Sequence, residues 1–192
     1  MHKIIFYTGL LLLLLPLASF GQTKVEQETS VAAAEVPEQA VDWVNKAYPE
    51  KKRLKWYKEI SNEGASYEAK LKYCGRWHSV EFSEEGQLED VEIDHKLDEL
   101  PNAFQDILQQ YLQDNYQRHR VYKVQVQLSG NSQLVAEAIQ AGKLPQLTVR
   151  YELEYFGRVQ GEDETWEGLF TEDGKPLQQR KIKQSTNANL VF

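Results

Sequence analysis

Residues 67–73 read Tyr67-Glu68-Ala69-Lys70-Leu71-Lys72-Tyr73. Apolar and charged residues alternate without a break, which is the period of a strand with one covered and one open face. The same alternation extends to both sides. Upstream, Leu54, Trp56 and Ile60 mark one side of a strand, and Asn62-Glu63-Gly64 is a turn. Downstream, Gly75-Arg76 is a tight connection, His78, Val80 and Phe82 mark a third strand, Glu85-Gly86 turns the chain, and Leu88 to Ile93 is a fourth. Polar residues on every second position mean a sheet covered on one face only.

A helix precedes these strands. Pro37 suits a first helical position, Glu38 favours the positive end of the helix dipole, and Ala40, Trp43, Val44, Ala47 and Tyr48 form one apolar stripe ended by Pro49. The pattern then restarts. Leu100-Pro101 opens a second stripe of Phe104, Ile107, Leu108, Tyr111 and Leu112. Strands follow at Tyr122–Leu128, Val149–Tyr155, Trp166–Phe170 and Leu177–Ile182. Leu71, Tyr73, Gly75 and Arg76 match Leu153, Tyr155, Gly157 and Arg158, each 82 positions later, and Phe82 and Gly86 match Phe170 and Gly174, each 88 later. Matched residue types at matched turns indicate duplication. The expected fold is α+β: a tandem repeat of a helix plus a four-stranded antiparallel meander, forming one sheet with the helices packed on one face.

The repeats are placed at 36–98 and 99–183, with a tail at 184–192. The second carries extra residues in Ser129–Gln146, where Leu134 to Ala141 suits a short helix ended by Gly142, and in Gln160–Thr165. Residues 22–35 are polar, acidic and without apolar period, and read as a flexible leader. Residues 1–21 read as a secretory signal peptide: Lys3 gives a basic start, Ile4 to Phe20 is apolar, and Ser19-Phe20-Gly21 places small residues before a cut at Gln22. The stretch is near the lower limit for a membrane span, and no cysteine follows it for lipid attachment. The expected location is periplasmic or secreted.

The formal charge is −7, and losing Lys3 makes the remainder one charge more acidic. An acidic chain repels phosphate backbones, which argues against nucleic acid, and it has no affinity for an anionic membrane surface. Cys74 is the only cysteine, so no disulfide closes within the chain, and a small buried hydrophobe is its ordinary role.

The pieces Val36-Pro37, Tyr48-Pro49, Trp56, Ser66-Tyr67-Glu68-Ala69, Val80-Glu81-Phe82 and Gly86-Gln87-Leu88, with the restart at Leu100-Pro101 and the second Tyr116, resemble the PepSY-like, β-lactamase-inhibitor-like family of exported bacterial proteins. The resemblance covers roughly residues 36–182. It implies helix-plus-four-strand repeats, a periplasmic or secreted home, and a binding or inhibitory role without an established reaction.

Chemical motifs are absent from the sequence. His78, His95 and His119 lack metal-ligand spacing, no nucleophile elbow, phosphate loop or dinucleotide fingerprint occurs, and Glu84-Glu85 and Glu162-Asp163-Glu164 read as solvated turns rather than metal loops. No catalytic residue, metal or cofactor is expected. Strand parity instead singles out Trp77 and Tyr57. Each lies an odd number of positions from core-facing neighbours, so each faces away from the helices, with Glu68, Lys70 and Lys72 beside them on the neighbouring strand. Exposed aromatics among charges are what interface anchors look like. The expectation is a non-catalytic binding module that holds a protein or peptide partner on the open face. Its rivals are a hydrolase using carboxylates or His78, and a small-ligand carrier with a pocket between the repeats.

Overall fold

The computed structural model describes residues 27–61, 64–142 and 146–182. Nine antiparallel strands follow one another in chain order across a single sheet: β1 (Gln27–Val31), β2 (Lys52–Ser61), β3 (Gly64–Tyr73), β4 (Arg76–Ser83), β5 (Leu88–Asp94), β6 (His119–Ser129), β7 (Thr148–Val159), β8 (Glu162–Thr171) and β9 (Pro176–Lys181). Three helices accompany them: α1 (Glu38–Ala47), α2 (Asn102–Asn115) and α3 (Ser132–Ala141).

Both apolar cores lie on one face of this sheet. Ala40, Val44 and Ala47 of α1 pack with Trp56, Ala69, Leu71, Val80 and Phe82, and Val135 of α3 joins them. Phe104, Leu108 and Leu112 of α2 pack with Val124, Leu128, Tyr151, Leu153 and Phe170. The register Val80↔Val91↔Leu128↔Val149 carries one set of inward positions across the middle of the sheet. Residues two apart share a face, so the alternate positions on every strand are left to the helix-free side.

The expected tandem repeat of one helix plus four strands does not describe this architecture. The sheet is the dominant element, it is continuous, and it has a ninth strand and a third helix. The ninth strand is β1, within the segment read as a flexible leader. Its residues pair with β2 from Gln27↔Ile60 to Val31↔Trp56, so backbone hydrogen bonds hold a stretch whose side chains stay almost wholly exposed. The third helix is α3, inside Ser129–Gln146. The Asn131 side chain accepts from the backbone N–H of Gln133 and Leu134, and Gly142 closes the helix in the left-handed conformation at φ 63°. The Trp43 indole N–H donates to the Ser132 carbonyl at 3.2 Å, tying α3 to α1.

A second correction concerns the hairpin of β7 and β8. Gly157-Arg158 is not its turn. The strands run on, pairing Gly157↔Glu164 and Arg158↔Asp163, and the chain reverses at Gln160-Gly161, both with positive φ. Cys74-Gly75 makes the same kind of turn between β3 and β4, at φ 47° and 86°. Cys74 is therefore exposed at a turn and not a buried hydrophobe. The signal-peptide reading of 1–21 and the tail 184–192 lie outside the described residues. Among the described residues no helix is long and apolar enough to cross a membrane.

Candidate functional site

The helix-free face is built by cross-strand register. One row runs Ser30–Tyr57–Glu68–Glu81–Asp90–Ser129, and the next runs Lys55–Lys70–Ser79–Glu92–Gln127–Arg150. Trp77 stands opposite Lys72, and Asp94, Gln125 and Glu152 continue the face further across. The structure brings all five sequence-predicted residues, Trp77, Tyr57, Glu68, Lys70 and Lys72, onto this side, but it does not leave them equally open.

Trp77 keeps 41% of its surface exposed. It lines a cleft of about 630 Å³ with Tyr57, Leu54, Arg53, Lys55 and Lys70. Arg53, Lys55 and Lys72 take part in no ion pair among the described residues. Lys70 is committed. Its ammonium sits 2.9 Å from Glu68, 3.0 Å from Glu28, and 4.8 Å from the centre of the Tyr57 ring. Burial works against its charge, but Glu68 and Glu28 outweigh it and raise its pKa. Glu68, expected to be wet, is only 4% exposed. It is buried because it lies within a wide sheet whose long polar side chains cover one another, and Lys70 is its ion-pair partner there.

Beyond Lys70 the face turns acidic. A groove of about 640 Å³ runs across the sheet from β1 to β9, lined by Glu59, Glu68, Glu81, Asp90, Glu92 and Glu152 among others. Burial, and then the neighbouring Glu81, Glu152 and Glu89, push Asp90 from its ordinary 3.8 up to about 8. Burial and Glu167 push Glu152 up to about 7. Burial and Glu152 raise Glu92 as well. Lys123 pairs with Glu154 at 3.0 Å, and Arg180 pairs with Glu167. This half of the face was missed in the sequence. Its signal was present in the alternate acids Asp90, Glu92 and Asp94 on β5 and Glu152 and Glu154 on β7.

His78 borders the Trp77 cleft but lies almost wholly within the core. It is 5% exposed on the helix side, where its Nδ1 meets the Tyr48 hydroxyl at 3.1 Å.

No family model matches the chain, and no curated protein matches it. Solved structures do share its fold. A protein of Bacteroides eggerthii, provisionally assigned to the periplasm, superposes with a TM-score of 0.53 at 19% identity, over 79% of this chain and 93% of its own. A DUF2874 family protein of Bacteroides ovatus gives 0.54 at 18% identity, over 76% of this chain and 87% of its own. A BLIP-like protein of Bacteroides fragilis gives 0.49 at 20% identity, over 79% and 90%. At these identities the likeness is one of fold.

Proposed function

We propose that the chain is an exported, non-catalytic binding module that holds a protein or peptide partner on the helix-free face, centred on Trp77 and Tyr57. The observation that carries this reading is Trp77, a large aromatic 41% exposed on a sheet face made mostly of charged and polar residues. An indole there contributes nothing to the core, whereas burying it against a partner supplies the central apolar contact that interfaces concentrate. Arg53, Lys55 and Lys72 around it favour a partner that presents a carboxylate beside an apolar side chain. The periplasmic assignment of the Bacteroides eggerthii protein of like fold supports export, as do the apolar run Leu10–Leu15 and the small residues before Gln22. The resemblance to β-lactamase-inhibitor-like proteins supports a protein as the partner, and an inhibitory role fits the same face.

The test is a photo-crosslinking residue at position 77, expressed in the native host. A discrete crosslinked protein, lost when the crosslinker is moved to the exposed β1 position Thr29 and lost from pull-downs with Trp77→Ala, supports the reading. Equal capture by wild type and Trp77→Ala would sink it.

A further inference from the structure

We propose that the Trp77 cleft takes an extended segment of the partner in which an acidic, an apolar and a basic residue alternate: the acid on Arg53 and Lys55, the apolar side chain on Trp77, and the base at Asp94 and Gln125. The proposal rests on the reading of the open face as a surface for a protein or peptide, and it gives that surface an order. All five side chains line the one cleft, the cations from β2, the indole from β4 and the acceptors from β5 and β6.

A bulge builds the cationic end. Between the pairs Lys52↔Lys72 and Lys55↔Lys70, strand β2 carries one residue more than β3, and Arg53 takes the left-handed conformation at φ 56°. Such a φ is uncommon for a residue with a Cβ, and a bulge re-aims the side chains it carries. Arg53 and Lys55 stay exposed and enter no ion pair among the described residues. Their charge is available to a carboxylate.

The acceptor end carries a second, independent indication. Asp94 and Gln125 stand opposite one another, and the Gln125 amide donates to the Asp94 carboxylate. That bond occupies the amide nitrogen and leaves the oxygen over. Gln125 is 3% exposed, and its Oε1 is buried with no hydrogen-bond partner among the described residues. A buried acceptor without a donor is costly. Lys123 also lines the cleft, but Glu154 holds it at 3.0 Å. The missing donor has to come from outside, and an ammonium or guanidinium reaching this end serves Asp94 and Gln125 together.

The spacing suits a single chain. From β2 to β5 is three strand spacings, about 14 Å. Residues i, i+2 and i+4 of an extended segment share one face and span about 13 Å.

The experiment titrates the peptide acetyl-Glu-Ser-Leu-Ser-Lys-amide into the protein and follows the indole N–H resonance of Trp77 by NMR, assigned by its loss in Trp77→Phe. A saturable shift is expected by about 5 mM peptide, in the range of a weak anchor. Changing the peptide's Glu or its Lys to Gln should weaken binding about threefold each. The double variant Arg53→Gln, Lys55→Gln should lose the preference for Glu and keep that for Lys, and Asp94→Asn, which still accepts from Gln125, should do the reverse. Absence of a shift, equal binding of the three peptides, or a variant that leaves its own preference intact would each overturn the assignment. In each of those cases a discrete protein crosslinked at position 77 leaves the binding face standing, whereas equal capture by wild type and Trp77→Ala removes the face itself.

Discussion

Trp77 and Phe82 leave the same strand in opposite directions. Phe82 is fully buried under α1, 5.9 Å from the rings of Trp43 and Trp56, while Trp77 keeps 41% of its surface in solvent. Five residues on a strand reverse the face, so one aromatic belongs to the core and the other to the working surface. Phe82→Ala should therefore cost roughly 3–5 kcal/mol, and Trp77→Ala less than about 1 kcal/mol. Denaturant unfolding of both variants decides it. Equal losses would place Trp77 in the core.

Gly157 is held by contact and not by backbone conformation. A Cβ there would lie 2.3 Å from Cδ1 of Tyr116. The ring is pinned, because its hydroxyl meets that of Tyr155 at 3.1 Å and accepts from the Gln179 amide. Gly157→Ala should cost about 1–3 kcal/mol through overpacking. Tyr116→Ala removes the obstacle, so a double-mutant cycle should show the two changes to be strongly non-additive. Additive losses would mean that strand β7 shifts away freely.

These two cases show what the sequence could and could not disclose. The strands β2 to β5 were legible because Tyr67 to Tyr73 and Val80 to Phe82 alternate, and parity alone put Trp77 opposite Phe82. Strand β1 was not legible, since Gln27–Val31 is an exposed edge held by main-chain bonds, and no apolar period marks it. Gly157 looked like a turn because glycine serves both for tight turns and for close approach. Only the fold brings Tyr116 over it and shows which role applies. The open face was read as wet. That holds for Trp77, yet Glu68, Glu92, Gln125 and Gln127 are buried. Their burial comes from neighbours on other strands, and the alignment of Glu68, Glu81 and Asp90 depends on register, which no local pattern fixes.

Tyr48 closes α1 and reaches His78, 30 residues away. Both are buried, and the tyrosine hydroxyl and His78 Nδ1 share a hydrogen bond of 3.1 Å. Tyr48→Phe keeps the ring and its edge contacts with Trp43 and Tyr73 but strands the histidine nitrogen. The cost should be about 1–3 kcal/mol, that of a buried polar group left unpaired. A loss below 0.5 kcal/mol (about the spread of neutral surface changes) would show that another group satisfies His78.

His78 should also make stability depend on pH in a particular direction. Burial, then His95 and Arg76, lower its pKa from 6.5 to about 4. The unfolded chain therefore takes up a proton on this residue before the folded one does. Between about pH 6.5 and 4 the unfolded state binds more protons, so stability falls as pH falls. The contribution is complete above pH 6.5 and is lost on the way down to 4. Going from pH 7 to pH 5 should remove about 2 kcal/mol on this account, at 1.36 kcal/mol per pH unit below 6.5. Carboxylates on the other face titrate too, so the wild type alone does not isolate the effect. His78→Gln keeps a polar group of similar reach for Tyr48 and cannot be charged. The difference in unfolding free energy between wild type and His78→Gln, measured at pH 7 and again at pH 5, should shrink or reverse by about 2 kcal/mol at the lower pH. A difference that stays constant between the two pH values would show that His78 is protonated in the folded protein as readily as in the unfolded chain, and that its burial against Tyr48 and Tyr73 is relaxed in solution.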